Sequence, residues 1–439
     1  MEDQREGGIT DSHPLIEGSS ILPDYFRSSL NILFVVPYVP NKIRVRPYSW
    51  IRYLSKQGHR ITLFTVCTNT GDHEALAELQ EFCDTIHQVD LPSWRSLVNC
   101  LLALPTRQPL QAVYSWDASL AEKLYASASQ NGGSDSFDIV HVEHLRGARY
   151  GLDYIARSGE RKSRLPVIWD SVDSISLLFR QAMVQSKSLF NRGVTRFELG
   201  RTEAYEGWLV DQFDNILVTS RHDKQALLEL ADGNGSEERI NVLPNGVDLD
   251  YFTPELAGER QDKMIVLSGK MSYHANVTMV VDFIENIMPQ VWVKQPDVKV
   301  WIVGKDPPSK LQAFAGDANI YVTGTVDDIR PYLRKATVSA SPIPYGVGIQ
   351  NKVLEAMACG TPVVASEQAV SALDIQVDHE VMVGSSPGEI AEKMLELLGS
   401  PEKRAEVGSA GRKFVERNHD WSVVTEKLAQ VYEQTLTQL

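Results

Sequence analysis

The chain has 439 residues, more than the roughly 100 to 200 of a single domain, and its 43% hydrophobic and 23% charged content supplies two substantial cores while excluding wholesale disorder. Lys plus Arg number 43 against 57 Asp plus Glu, a formal charge of -14, which disfavours an extended nucleic-acid surface because phosphate backbones need clustered cations. The four cysteines form no Cys-x-x-Cys pair and no His cluster has zinc-like spacing, so reduced thiols in a cytoplasmic protein are expected.

Residues 1–28 carry Gly, Ser and charge without periodicity and read as a flexible tail, lacking the basic region and apolar core of a signal peptide. Apolar runs rich in β-branched residues then recur at 32–36, 61–66, 139–142, 167–169 and 216–219, with helical patterns between them at 47–57 and 117–129. The longest apolar run, residues 97–104, stops at Pro105, well short of the roughly 18 residues that a membrane span needs. Continuous apolar strands alternating with helices predict a parallel sheet covered on both faces, a doubly wound α/β domain over 29–245. Trp208 and Phe213 read as core, and the helix bearing Arg196, Glu198, Arg201, Glu203 and Glu206 as a solvated or ion-paired face.

A turn cluster, Leu243-Pro244-Asn245-Gly246-Val247-Asp248, opens a linker assigned to 246–262. The alternation restarts at 264–267, 299–303, 320–323, 338–341, 362–365 and 381–383, giving a second Rossmann-like domain over 263–415 whose longest helix is expected at 276–293. Residues 416–439 form a terminal helix expected to pack back on the first domain. Two such sheets face each other with their strand carboxyl ends across a cleft, the place where doubly wound folds bind ligands.

The most informative stretch runs from Ser341 through Pro342, Pro344, Gly346 and Gly348 into a helix beginning near Gln350. Glycines permit close backbone approach, and the backbone N–H groups of Gly348, Ile349, Gln350 and Asn351 with the positive helix end form a candidate anion seat. Lys352 in the first turn adds a full charge. Glu355 shares its helix face and suits a ribose diol, because a carboxylate accepts two hydroxyl hydrogen bonds at once.

The run Glu355-Ala356-Met357-Ala358-Cys359-Gly360-Thr361-Pro362-Val363-Val364-Ala365 resembles the signature of the group 1 (family 4) glycosyltransferases of the GT-B fold. Pro244-Asn245-Gly246-Val247-Asp248 resembles that family's interdomain linker, and Ser268-Gly269-Lys270-Met271 stands where the family has a phosphate-contacting cation. Val303-Gly304 and Thr323-Gly324-Thr325-Val326 resemble the strand ends that enclose the base. The resemblance covers nearly the whole chain from about residue 30 and implies a metal-independent, retaining hexosyltransferase. Its donor would be a nucleotide-diphosphate sugar and its acceptor a carbohydrate or lipid-linked molecule, with peripheral contact at the inner membrane face left open. Lys270 and Lys352 would stabilise the departing diphosphate in place of a metal, and no Asp-x-Asp motif is recognised near these elements.

The family's earlier glutamate is missing: eight positions before Glu355 stands Val347, and Gln350 and Asn351 in the Gly-Ile-Gln-Asn-Lys run are the candidates to replace its contacts. In the first domain the loop with Lys42, Arg44 and Arg46 occupies the place of the family's glycine pair, with Arg44 assigned to the donor and Lys42 to an anionic acceptor. By the same resemblance Glu143 and His144 are candidate catalytic residues, with His141 buried. Asp170 and Asp173 end the next strand as acceptor-side candidates. Two further functions stay compatible with these residues: a non-catalytic nucleotide-sugar-binding protein, suggested by Val347, and sugar-nucleotide epimerisation or phosphorylase-like chemistry. A dehydrogenase is disfavoured because no strand is followed by Gly-x-Gly-x-x-Gly.

Overall fold

The computed structural model describes residues 29–129, 136–160, 164–185, 189–231, 236–254, 260–345 and 348–438. The expected tail at 1–28 and the loop residues Gly346 and Val347 lie outside the described residues.

The first sheet comprises β1 (Asn31–Val36), β2 (Arg60–Cys67), β3 (Thr85–Asp90), β4 (Ile139–Glu143), β5 (Val167–Val172), β6 (Asn215–Val218) and β7 (Ile240–Val242), in the spatial order β3-β2-β1-β4-β5-β6-β7. The second comprises β8 (Met264–Ser268), β9 (Lys299–Val303), β10 (Ile320–Gly324), β11 (Val338–Ser341), β12 (Val363–Ser366) and β13 (Met382–Gly384), in the order β10-β9-β8-β11-β12-β13. Adjacent strands pair in parallel throughout, so helices must cover both faces, and β1 and β4 are buried along their whole length. The order reverses between β1 and β4 and again between β8 and β11, which opens a crevice at each reversal.

The predicted long helix is one helical stretch from His274 to Lys294, but its middle, Phe283–Ile287, is π-helical. Pro289 lacks the N–H that a regular ladder would use two residues further on. The helix Trp421–Thr437 leaves the second domain and completes the core of the first. Trp421 meets Trp50 edge-on at 5.1 Å, Tyr432 Oη lies 2.8 Å from His141 Nδ1, and Val424, Leu428 and Val431 pack with strands β1 and β2. The chain therefore crosses between the domains twice, and the crossings touch. Val247 N donates to His419 O at 2.7 Å, and His419 Nδ1 lies 2.8 Å from Asn245 O.

Candidate active site

At the carboxyl ends of β8 and β9 the backbone turns so tightly that side chains are excluded. Gly269 and Gly304 have φ of 141° and 152°, and a Cβ on Gly304 would lie 1.7 Å from Gly269 O. The two loops thus pack backbone against backbone, as only glycine allows. Beside them is a cavity of about 280 Å³ lined by Gly269, Lys270, Gly304, Lys305 and Val326, and by Ile43 from the first domain. A larger hollow of about 560 Å³ lies on the side of Trp301 and Asp328 and shares only Thr325 and Val326 with it.

The helix Asn351–Ala358 begins at Gln350, and Gly348 before it has φ +65°. Ile349 is buried, and Val353 N donates to Gln350 O at 2.9 Å, which leaves the first-turn amides at the helix end. Lys352 Nζ donates to Asn276 Oδ1 at 2.5 Å and would lie 3.7 Å from a Cβ on Gly269, so its ammonium reaches the cavity wall. Burial pushes this lysine down to about 8, against the attraction of Glu355. Glu355 is half-buried one turn further and does not line the cavity. Burial pushes its carboxyl up to about 7, with Lys352 opposing. Asn351 Oδ1 accepts from Asn245 Nδ2 at 3.3 Å, tying the helix start to the linker.

On the first-domain side, His144 starts the helix His144–Ser158 with φ +62°. Its Nδ1 accepts from Arg146 N at 3.3 Å, which leaves the proton on Nε2. Burial and the Arg146 cation push it down to about 4, so the ring is neutral near pH 7. Arg44 stacks over Tyr38 with its guanidinium carbon 4.6 Å from the ring centre.

Four expectations are corrected: the cleft placement of Glu143 and of Asp170, the free cationic role of Arg46, and the lack of an Asp-x-Asp run. Glu143 is only 1% exposed: Oε1 accepts from Tyr38 Oη at 2.8 Å, Oε2 has no partner among the described residues, and burial raises its carboxyl well above the usual range. It is bonded to Tyr38 and closed off from solvent. Asp170 is fully buried and accepts from Arg46 Nε at 2.8 Å, Arg46 Nη2 at 3.1 Å and Trp50 Nε1 at 3.2 Å, so this acceptor-side candidate is an internal counter-ion. Arg46, read as part of a cationic loop, is consumed there and by Leu243 O and Asn245 Oδ1, both at 3.0 Å. Lys42 is exposed and pairs with Glu78 at 3.1 Å. An Asp-x-Asp run does exist, Asp248-Leu249-Asp250, but Asp248 pairs with Arg52 and accepts from the N–H groups of Asp250 and Tyr251 at 3.2 and 3.1 Å. Asp173 alone of the acceptor-side candidates meets the second domain, its carboxylate lying against Gly348.

Comparison with known proteins agrees with this geometry. The model described as Glycosyltransferase Family 4 matches residues 45–251, and that described as Glycosyl transferases group 1 matches residues 262–400, so the pair tiles both domains. The chain belongs to the group 1 glycosyltransferases.

Relatives of this family member include a phosphatidyl-myo-inositol mannosyltransferase of Mycobacterium leprae, 32% identical over 44% of this chain and 54% of that one. Another is a GDP-mannose-dependent monoacylated alpha-(1-6)-phosphatidylinositol monomannoside mannosyltransferase of Corynebacterium glutamicum, 30% identical over 45% of this chain and 57% of that one. The matches span only about half the length of these curated relatives. Sucrose-phosphate synthase from Thermosynechococcus elongatus shares the fold with a TM-score of 0.68 at 16% identity, covering 93% of this chain and 100% of that one. The two facing parallel sheets are the GT-B arrangement.

Proposed function

We propose that this chain transfers a hexosyl group from a nucleoside-diphosphate sugar, held on the second domain, to a hydroxyl of a carbohydrate or lipid-linked acceptor entering from the first. The observation that carries the reading is the cavity walled by Gly269, Lys270, Gly304 and Val326, with Lys352 beside it and Ile43 reaching in from the opposite domain. It combines backbone approach, cations and a surface from each domain. In the reaction the bond from the anomeric carbon to the diphosphate breaks with its electron pair going to the phosphate oxygen. The acceptor oxygen forms the new bond and passes its proton to the departing phosphate oxygen. Lys270, Lys352 and the first-turn amides of the helix Asn351–Ala358 offset the charge growing on the diphosphate, the role a divalent ion has elsewhere. His144, neutral with its proton on Nε2, acts as a donor to a sugar hydroxyl rather than as a base. Retention of configuration follows the resemblance to the family.

Because the named relatives are mannosyltransferases and one is GDP-mannose-dependent, GDP-mannose is the first donor to test. A melting screen of nucleoside diphosphates and their sugars is the experiment: a ligand at ~100 times its dissociation constant adds about 2.7 kcal/mol of stability. Stabilisation by none of them refutes the reading. Binding without turnover on any carbohydrate or lipid-linked acceptor favours a non-catalytic binding protein instead.

A further inference from the structure

The helix Ser93–Ala103 is turned inside out. Its buried positions are Ser96 and Ala103, and Asn99 and Cys100 also face the body, with Asn99 Nδ2 donating to Trp116 O at 2.9 Å. The bulky residues point outward: Trp94, Leu97, Val98, Leu101, Leu102 and the following Leu104 are between 42% and 70% exposed. Positions 94, 97, 98, 101 and 102 follow the three- and four-residue spacing of one stripe, the reverse of an ordinary surface helix. At 1.5 Å per residue the stripe is about 16 Å long. Arg201 stacks on Phe197 at 4.3 Å and donates to Thr106 O at 2.5 Å, which brings the half-exposed Phe197 to the end of the stripe.

Charge says what covers it. In a chain of formal charge -14, residues 91–116 contain no Asp or Glu, and Arg95, Arg107 and, beside Phe197, Arg196 are exposed; Arg95 reaches the buried Asp117 at 3.4 Å while its side chain stays half-exposed. The surface is apolar at its centre and cationic at its rim, with Trp94 and Arg95 together at the helix start. The partner must be apolar at depth and negatively charged at its surface.

We propose that this face lies in the interfacial layer of an anionic phospholipid bilayer, leucines among the acyl chains and arginines at the headgroups. The helix is too short to span. It packs on the helix Leu110–Tyr114, which packs on the helix that His144 begins, so a docked membrane would lie on the side of the first domain's cleft residues. The inference stands apart from the transfer reading.

The test is flotation of the full chain with phosphatidylcholine vesicles, with and without ~30% phosphatidylglycerol. The expected result is binding to the anionic vesicles that weakens at least roughly tenfold in the Leu101→Glu, Leu102→Glu double variant, at unchanged melting temperature. Arg95→Gln with Arg107→Gln should remove the preference for anionic over neutral vesicles. No vesicle binding, or binding that survives the glutamates, overturns the proposal. So does a dimer in light scattering that the glutamates convert to monomer, since the stripe would then be a contact between copies.

Discussion

Asp173 and Gly348 meet across the two domains: a Cβ on the glycine would lie 2.2 Å from the aspartate Oδ1, and Thr219 Oγ1 fixes that oxygen from the other side at 2.9 Å. Burial, with the nearby Asp223 carboxylate, pushes Asp173 up to about 6. Gly348→Ala should therefore hold the domains apart. Since a misplacement of about 1 Å can cost roughly 100-fold in rate, turnover should fall by that order while melting temperature changes little. Steady-state kinetics with wild-type turnover in this variant would count against closure through this contact.

Glu355→Gln keeps the size of the side chain and removes its charge. Loss of one charge-assisted hydrogen bond, about 1.5 to 3 kcal/mol, corresponds to roughly 10- to 150-fold weaker nucleotide binding. Calorimetric titration measures it, and unchanged affinity would remove Glu355 from the ribose role.

The pH dependence of binding follows from the same helix. In the proposed complex, ligand contacts favour the Glu355 carboxylate and the Lys352 ammonium, which burial moves to about 7 and about 8. Affinity for a nucleoside diphosphate should rise as pH climbs to about 7 and fall beyond about 8, giving a narrow maximum between them. Without ligand, Glu355 holds its proton more tightly folded than unfolded, so its contribution to stability declines between 4.5 and about 7. Lys352 releases its proton more readily when folded, so stability recovers between about 8 and 10.5. Titrations on both flanks check the first statement, and denaturant unfolding across the same range checks the second.

Arg46→Met should cost about 3 to 5 kcal/mol in urea unfolding, because it strands the Asp170 charge in the core. Adding Asp170→Leu should restore most of that loss. If the double variant is no more stable than the single one, the pair is not a mutually compensating ion pair.

The central strands were legible because burial on both faces makes them continuous apolar runs, and the second domain's loops because a cation, glycines and an acid stand within a few residues of one another. β3, with Thr85, His87, Gln88 and Asp90, and the three-residue β7 escaped notice because each is an edge strand with little apolar signal. Arg46 and Asp170 are 124 positions apart, so nothing local announces that one neutralises the other. The sequence reads Glu198 and Glu206 as a solvated or ion-paired face, yet Glu206 is buried and accepts from the backbone N–H groups of Ile175 and Ser176 at 2.7 and 3.1 Å. Glu198 accepts likewise from Leu110 N at 2.9 Å. Trp208, expected in the core, is 47% exposed, whereas Phe213 is buried. Periodicity reveals which residues are apolar; only the folded chain shows which carboxylates have been drawn inward to meet unpaired amides.

The double passage of the backbone between the lobes, joined where Val247 bonds His419 and Gly246 sits under Trp421, restricts their relative freedom. A single tether would let the halves twist in any direction. Two lengths of chain stitched side by side act like the leaves of a door on one pin line, favouring a widening or narrowing of the mouth over the sliding of one wall past the other.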